Sequence, residues 1–271
     1  MKIRPIILCG GEGTRLWQKS TNNEPKQFIN FGGWNLFEKT LKRIKGPLFD
    51  YPIISTNVKY LKKIKFYLKK NKFKKYRIVL EPAKRNTGPA VLSAALVTDI
   101  PNKQPLLFLP SDHLLEKNNV FNKNLIKNSK YLNNKNIFLF GIKPDNPSKE
   151  YGYLNVKKSG SHLIKIVKFI EKPSVKKAKA LIKTKGLWNS GMFFARKDSI
   201  INNFKKFEKK ILKNCYISMS KARTKGKIIN LNKRYFLKSP TNSFDYAILE
   251  KCSDINCIVL NLPWTDLGNW K

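Results

Sequence analysis

Residues 3–17 read IRPIILCGGEGTRLW, and this segment sets the architecture of the chain. Its first part, residues 3–9, is largely apolar and predicts a buried β-strand. The strand runs into Gly10, Gly11 and Gly13, which let the backbone approach a ligand and turn its N–H groups toward anionic oxygens. The pattern is neither a Walker A loop nor the dinucleotide motif G-x-G-x-x-G. In an open α/β sheet, ligands bind at this edge, where the strands have their carboxyl ends.

The rest of the chain alternates short β-rich runs with helical stretches, which predicts an α/β fold with helices on both faces of a sheet. Strands are expected at residues 52–56, 77–80, 106–109, 137–142, 153–157, 163–169, 191–195 and 257–262. Helices are expected at residues 36–45, 60–70, 89–98, 175–183 and 244–250, and from residue 199 onward. Asn35, Thr87 and Ser243 are the predicted N-caps of three of these helices. The sequence contains no repeat or linker, so residues 1–271 are interpreted as one domain.

The composition is that of a folded chain, because 41% of the residues are hydrophobic and 12% are aromatic. No apolar run approaches the roughly 18 residues of a membrane span, and the apolar start leads into glycines and not into a signal-peptide cleavage site. A cytoplasmic location and no membrane partner are expected. Cys9, Cys215, Cys252 and Cys257 lack zinc-type spacing, which predicts free thiols.

The net charge of +38, from 55 Lys and Arg against 17 Asp and Glu, is the unusual feature of the composition. Such a charge is compatible with nucleic acid, an anionic surface or a lysine-rich coding bias. Lysine dominates over arginine, which is the residue of bidentate phosphate and base recognition. The lysines are also spread along the whole chain. The pattern therefore favours a compositional bias and no specific nucleic-acid partner.

Residues near the predicted strand ends indicate phosphate and metal chemistry. Arg15, in the glycine segment, and Lys26, in EPKQF (residues 24–28), add a forked and a point-like positive charge beside the anion-binding turn. Asp112 follows the strand at 106–109, where a carboxylate is placed to bind a hard cation such as Mg²⁺. His113, directly after it, is interpreted as a structural group or as one that acts behind the metal ligands.

The glycine segment and EPKQF resemble the signature loop of nucleotidyltransferases that activate sugar phosphates, and the later segments resemble their mannose-1-phosphate guanylyltransferase branch. Those later segments, in chain order, are EPAKRNTGPA (81–90), FLPSDH (108–113), FGIKPDNPSKEYGYL (140–154), FIEKP (169–173), WNSGMF (188–193), SFDYAILE (243–250) and WTDLGNW (264–270). They cover essentially the full chain. The resemblance implies a Rossmann-like fold of the glycosyltransferase-A type, in which helices flank a mostly parallel mixed sheet.

The resemblance also implies where the substrates bind. Nucleotide contacts are expected from Gly10, Gly11, Gly13, Thr14, Glu81, Arg85, Asn86, Thr87 and Ser111. Sugar-phosphate contacts are expected from Gly152, Glu171, Lys172, Asn189 and Asp245. Mg²⁺ is expected on Asp112 and Asp266, and the expected catalytic residues are Arg15, Lys26, Asp112 and Lys172. A helix cap at Thr87 and a first-turn carboxylate at Asp245 remain alternatives to substrate contacts.

The implied reaction forms GDP-mannose and pyrophosphate from GTP and mannose 1-phosphate by in-line attack on the α-phosphorus. The expected partners are these small molecules, and a homodimer is left open. Relatives usually continue into a C-terminal β domain, which is expected to be absent, and Gly88 stands where they commonly have alanine. Three alternatives stay open: a sibling nucleotidyltransferase with another nucleotide or sugar such as glucose 1-phosphate, a non-catalytic regulatory homologue, and a basic polyanion-binding protein.

Overall fold

One large mixed sheet organises the protein in a computed structural model that describes residues 2–11, 25–159 and 163–266. The strands are β1 (Arg4–Cys9), β2 (Ile53–Asn57), β3 (Arg77–Glu81), β4 (Pro105–Pro110), β5 (His113–Leu115), β6 (Ile137–Ile142), β7 (Tyr153–Ser159), β8 (Leu163–Ile170), β9 (Leu187–Arg196), β10 (Arg223–Lys225), β11 (Ile228–Asn230), β12 (Ile255–Leu260) and β13 (Trp264–Asp266). The α-helices are α1 (Leu36–Arg43), α2 (Leu61–Lys70), α3 (Thr87–Ala95), α4 (Asn118–Ser129), α5 (Val175–Lys183), α6 (Lys197–Phe207), α7 (Lys209–Ser220) and α8 (Lys233–Phe236).

The strand order within the described residues is β10-β11-β3-β2-β1-β4-β9-β6-β12-β8-β7. Pairing is parallel from β11 through β3, β2 and β1 to β4, and again between β6 and β12. Strand β9 is antiparallel to β4 and β6, and β7 and β8 form an antiparallel pair. The predicted mixed α/β sheet between helices is confirmed, with its parallel share concentrated around the glycine segment.

Strands β1 to β4, β6 and β12 all run in the same direction, so their carboxyl ends share one edge of the sheet. Above that edge, β5 and β13 form a small antiparallel pair in which Asp266 lies opposite His113 and Trp264 lies opposite Leu115. This pairing brings a residue near the end of the chain beside one that follows β4. The site-forming edge is therefore assembled from segments far apart in sequence.

The apolar strands are buried on both faces, which explains why β1 reads as a continuous apolar run and not as an alternating one. Successive side chains of a strand point to opposite faces. Ile6 belongs to the core that includes Val91 of α3 and Phe204 of α6. Ile7 belongs to the opposite core, which includes Phe37 of α1 and Leu68 of α2. Two hydrophobic layers thus clamp the sheet and fix the edge that carries the glycines.

The helix caps are partly as predicted. Asn35 caps α1, because its side chain accepts a hydrogen bond from the backbone N–H of Glu38 at 2.8 Å. The prediction of Thr87 as the N-cap of the helix at 89–98, which is α3, is wrong. Asn86 holds that position with a left-handed φ of 65° and accepts from the Thr87 N–H, and α3 begins at Thr87. The Thr87 hydroxyl instead accepts a hydrogen bond from the backbone N–H of Phe244 at 2.8 Å.

The segment 242–249 packs against the start of α3. Gly88 donates its N–H to the Asn242 carbonyl at 3.0 Å, and a Cβ at position 88 would lie 2.8 Å from that oxygen. This contact explains why glycine fits here. The helix predicted at 244–250 is present, and its central part, Asp245–Leu249, is a π-helical turn. The Ser243 hydroxyl accepts from the N–H of Tyr246 at 3.2 Å, as a cap does.

Several elements differ from the sequence-based expectations. Helix α4, the strand pair β10–β11 and the strand pair β5–β13 were not predicted, and β9 begins four residues earlier than expected, at Leu187 instead of residue 191. All four cysteines are free, as predicted. Among the described residues, no helix has the length and apolar character that a membrane crossing needs.

Candidate active site

A buried lysine lies between two aspartates at the carboxyl edge of the sheet. The ammonium of Lys26 is 2.9 Å from Oδ2 of Asp112, and it also forms a short salt bridge with Oδ1 of Asp266. The Lys26 side chain is 2% exposed, against 27% for Asp112 and 8% for Asp266. Burial alone would lower the pKa of Lys26, but the two carboxylates outweigh burial and raise that pKa above its ordinary value. Lys26 is therefore a fixed positive charge at neutral pH.

The fold holds these three groups from three directions. Lys26 begins a 3₁₀ turn (Lys26–Phe28), which is anchored where the ring of Phe28 packs at 5.5 Å on that of Phe37 in α1. Asp112 follows β4, and Asp266 ends β13. The β5–β13 ladder sets the distance between the last two. Sequence analysis placed Lys26, Asp112 and Asp266 in one site, and the structure brings all three together.

His113 adds an imidazole to the same cluster. Its Nε2 lies 3.7 Å from Oδ1 of Asp112 and 3.8 Å from Oδ2 of Asp266. One ligand atom from each of these three residues lies within 4.8 Å of the others. Two carboxylate oxygens and an imidazole nitrogen at this spacing are a donor set that suits a divalent metal. The sequence-based interpretation of His113 did not include contact with a metal.

A cleft of about 390 Å³ opens beside this cluster. Of the residues predicted to bind the nucleotide, those lining it are Gly10, Gly11, Glu81, Arg85, Asn86, Thr87 and Ser111. Asp112 lies at the junction of the cleft with the Lys26 cluster. Gly13, Thr14 and Arg15 lie outside the described residues, so their predicted roles stay predictions.

Gln27 is a residue of the cleft that the predicted site did not include. Its side-chain amide donates to the Gly11 carbonyl at 3.2 Å and contacts Sγ of Cys9 at 3.9 Å. The side chain is buried and ties the turn after β1 to the turn that carries Lys26. Its position directly after Lys26 in EPKQF was the available signal, because neighbours in a turn that forms a site lie close to the ligand.

Glu81 supplies a buried carboxyl to the cleft. It ends β3, is 7% exposed, and accepts a hydrogen bond from the Ser55 hydroxyl at 2.8 Å. Burial raises the pKa of this carboxyl to about 7, and the Ser55 hydrogen bond opposes that shift. A Cβ at Gly10 would lie 3.6 Å from Oε1 of Glu81. The Glu81 carboxyl therefore lies beside the glycine turn, buried in the wall of the cleft, where it can accept hydrogen bonds.

Replacing Glu81 by Gln is expected to stabilise the protein at pH 8 but not at pH 4.5. The folded carboxyl, with a pKa of about 7 against an ordinary 4.5, holds its proton more tightly than the unfolded chain does. The free energy of unfolding therefore falls as pH rises between these values and is level above them. The shift corresponds to roughly 3 kcal/mol. Urea unfolding of both proteins across this pH range measures the difference, and a constant gap between them would contradict the assignment.

The residues around the start of α3 line the cleft and also hold one of its walls in place by hydrogen bonds. The Arg85 guanidinium donates to Oγ1 of Thr241 at 3.1 Å and to the carbonyl of Leu237. Asn86 and Thr87 make the cap and the Phe244 contact described above. These hydrogen bonds hold the segment 237–244 against the loop and so define one wall of the cleft.

A second group of predicted residues lies next to the cleft. A Cβ at Gly152 would lie 2.7 Å from Oε2 of Glu171 and 3.5 Å from Cβ of Asn189, so glycine permits this close approach. The backbone N–H of Asn189 donates to the Gly152 carbonyl at 2.7 Å. Asn189 and Asp245 also line the cleft. The sugar-site residues predicted from sequence are thus brought together beside the nucleotide-site residues.

Two carboxyls in this second group have raised pKa values. Burial, and then the nearby charge of Asp245, raises the pKa of Glu171 to about 7, while Lys172 opposes the shift. Burial raises the pKa of Asp245 to about 6, again against the charge of Lys172. Lys172 has a left-handed φ of 42° and an exposed side chain. A pair of carboxyls that hold protons near neutral pH can both donate and accept hydrogen bonds.

Comparisons with known proteins show which family the chain resembles. Residues 4–271 match the family described as nucleotidyl transferase. The chain is 32% identical over 273 residues to the alginate biosynthesis protein AlgA of Pseudomonas aeruginosa, covering 98% of this chain and 57% of that protein. It is 32% identical over 276 residues to mannose-1-phosphate guanylyltransferase of Escherichia coli, covering 99% of this chain and 59% of the relative. It thus spans less than three fifths of the length of these curated relatives.

The fold is also similar to that of a solved structure. The crystal structure described as mannose-1-phosphate geranyltransferase from Thermus thermophilus superposes with a TM-score of 0.85 at 26% identity, covering all of this chain and 77% of that one. The range that matches the nucleotidyl transferase family, residues 4–271, includes the glycine segment, the Lys26 cluster and the adjoining carboxyl pair. The chain therefore belongs to the nucleotidyl transferase family.

Proposed function

We propose that this chain transfers a guanylyl group from GTP to mannose 1-phosphate, giving GDP-mannose and pyrophosphate. The observation that carries the proposal is that a cleft and a second group of polar residues lie side by side. A cleft beneath the glycine turn adjoins a polar group made by Gly152, Glu171, Asn189 and Asp245, and the Lys26–Asp112 pair lies beside the cleft. The similarity to relatives named mannose-1-phosphate guanylyltransferase supports the same assignment. We extend it to residues 1–271 as one catalytic domain, active in the cytoplasm and able to form a homodimer.

The reaction needs positioning and charge neutralisation more than proton transfer. A phosphate oxygen of the sugar phosphate forms a bond to the α-phosphorus of GTP, and the bond from that phosphorus to the bridging oxygen of pyrophosphate breaks. The attacking oxygen is already ionised, so no general base is required. Lys26 has three N–H donors, of which two point at Asp112 and Asp266. We assign the third to a phosphate oxygen, where fixed positive charge would stabilise the transition state.

The residues present fit a divalent metal, and we assign Mg²⁺ to Asp112 and Asp266. Their side chains turn carboxylate oxygens toward one another beside the cleft, and hard cations prefer such oxygen donors. When bound, Mg²⁺ would neutralise charge on the phosphates. Lys26 keeps the two carboxylates in place by its salt bridges, and it adds its own charge to the same region.

Guanine recognition is assigned to Glu81. The Watson–Crick edge of guanine presents two neighbouring donors, N1–H and the 2-amino group, and a carboxylate can accept from both. Glu81 is a buried acceptor that lines the cleft. A site built to bind a particular donor strongly rejects an analogue that lacks it, because the buried acceptor is then left unpaired.

Replacing Glu81 by Gln is therefore expected to lower the preference for GTP over ITP, which lacks the 2-amino group, by about tenfold or more. A hydrogen bond to a charged group contributes roughly 1.5–3 kcal/mol, which corresponds to this change. The ratio of kcat/KM for the two nucleotides measures it. An unchanged ratio in a folded variant would assign base recognition to another residue.

The sugar phosphate is assigned to the second group. Glu171, Asp245 and Asn189 offer donors and acceptors to sugar hydroxyls, and Lys172 supplies a positive charge for the phosphate. Because the carboxyls of Glu171 and Asp245 have pKa values of about 7 and about 6, hydroxyls that donate and hydroxyls that accept can both be satisfied. The net charge of +38 would speed the capture of both anionic substrates without altering the chemical step.

A pyrophosphate-release assay tests the proposal. Purified protein with Mg²⁺ is combined with each of four nucleoside triphosphates and with either mannose 1-phosphate or glucose 1-phosphate. Release with GTP and mannose 1-phosphate alone is the expected result. Release with another pair would favour a sibling activity, and no release from folded protein would favour a regulatory or polyanion-binding role.

A further inference from the structure

Among the described residues, none forms a hydrogen bond with the His113 imidazole that would explain the position of the ring. Its Nδ1 is buried without a partner. Its Nε2 lies 3.7 and 3.8 Å from the nearest oxygens of Asp112 and Asp266, beyond the roughly 2.7–3.2 Å of an N–H···O hydrogen bond. The side chain is only 12% exposed. Nε2 is thus the ring nitrogen that faces the two carboxylates, and it faces them at a distance longer than a hydrogen bond.

The carboxylates of Asp112 and Asp266 each lie between the Lys26 ammonium and the His113 imidazole. The Lys26 ammonium contacts Oδ2 of Asp112 and Oδ1 of Asp266. The remaining oxygens, Oδ1 of Asp112 and Oδ2 of Asp266, are the ones nearest Nε2 of His113. The ammonium therefore contacts one oxygen of each carboxylate, and the other oxygen of each is the one nearer the imidazole.

The surroundings hold the imidazole in this orientation. Its ring meets the ring of Trp264 edge-on, with centroids 5.4 Å apart. A Cβ at Gly191, where φ is +72°, would lie 3.4 Å from Cε1 of His113 and 3.4 Å from a side-chain carbon of Pro110. Backbone pairing of His113 with Asp266 fixes the base of the side chain. Within the part of the chain that the structure describes, packing thus holds the ring in its orientation.

We propose that Nε2 of His113 is a third protein ligand of the divalent metal, together with Asp112 and Asp266. The inference builds on the metal site of the proposed function. Neighbouring ligands bonded at about 2.1 Å to one octahedral metal lie roughly 3 Å apart, so small movements of the side chains would bring Nε2 and the two carboxylate oxygens, now 3.7 and 3.8 Å from it, to this spacing. Imidazole nitrogen favours first-row transition metals over Mg²⁺. The site therefore binds Mn²⁺ more tightly than Mg²⁺.

Electron spin-echo spectroscopy of the protein loaded with Mn²⁺ tests this ligand directly. The chain has two histidines, His113 and His162, so labelling histidine with ¹⁵N makes any imidazole coupling identifiable. Spectra are recorded with Mn²⁺ alone and with Mn²⁺ and GTP. We expect a histidine nitrogen coupling that persists in His162→Gln and disappears in His113→Gln. Mn²⁺ affinity of His113→Gln should fall by at least about tenfold, with a smaller loss for Mg²⁺, which accepts the amide oxygen of glutamine.

The outcomes separate this inference from the proposed function. Wild-type protein that shows no histidine coupling under either condition overturns the ligand assignment, whatever the variants do. Coupling that survives in His113→Gln overturns it as well. GDP-mannose formation measured on the same preparations is a separate readout. Activity without coupling refutes the histidine ligand alone, and coupling without activity refutes the reaction while it supports the metal site.

Discussion

Replacing Asp112 by Asn is expected to lower kcat at least about 100-fold, and the same change at Asp266 should cost as much. Removal of one preorganised charge-stabilising group typically has an effect of this size. Asparagine keeps the shape of the side chain but removes the charge that would hold a divalent metal and that pairs with Lys26. Asp112 is 27% exposed, so water can solvate the new amide and the variant should fold. Pyrophosphate release at saturating GTP and Mg²⁺ measures the loss.

Asp254→Asn is the matched control for this experiment. Asp254 is exposed and immediately precedes β12, whose amino end lies at the edge of the sheet opposite the cleft. The control removes one negative charge, as Asp112→Asn does, but far from the site. Its kcat should therefore equal that of the wild type. Turnover of Asp112→Asn within threefold of the control, at equal Tm, would remove Asp112 from the catalytic machinery.

The sheet was predictable because its signal is local. Strand β6 and helix α5 occupy the residues expected of them, and β1 differs by one residue, since apolar runs bounded by polar residues carry the information within a few positions. The caps were less predictable. Asn86 and Thr87 are adjacent and both polar, and which one caps α3 depends on Phe244, which donates its N–H to Thr87 from a distant segment.

The site shows the same division. The resemblance assigned Lys26, Asp112 and Asp266 to one site, but no local pattern in WTD predicts that Trp264–Asp266 pairs with His113–Leu115. The short strands β5 and β13 have three residues each, too few for a periodic signal. The orientation of His113 depends on that pairing and on the walls at Trp264 and Gly191. A contact of this kind follows from tertiary packing, which sequence periodicity does not encode.

Replacing Lys26 by Met is expected to reduce both activity and stability, and the stability should be recovered in part by metal. Removing the ammonium leaves the two carboxylates facing each other without their salt bridges to Lys26, and breaking a buried ion pair in this way costs roughly 3–5 kcal/mol. In a protein of this size that corresponds to a fall in Tm of roughly 5–15 °C. The fixed charge that we assign to the substrate phosphates is also lost, so kcat should drop by about 100-fold or more.

Lys197→Met is the control that separates a buried lysine from a lysine between carboxylates. Lys197 is 7% exposed, but its ammonium donates to the carbonyls of Val97 at 3.2 Å and Ile100 at 2.8 Å, near the start of β4. Mg²⁺ or Mn²⁺ should raise the Tm of Lys26→Met more than that of the wild type, because the ion no longer competes with the ammonium for the two carboxylates and ligand binding to the folded state stabilises it. The same ions should leave Lys197→Met with the wild-type shift. Equal metal-induced shifts in all three proteins would mean that Lys26 does not balance the charge of the metal-binding carboxylates.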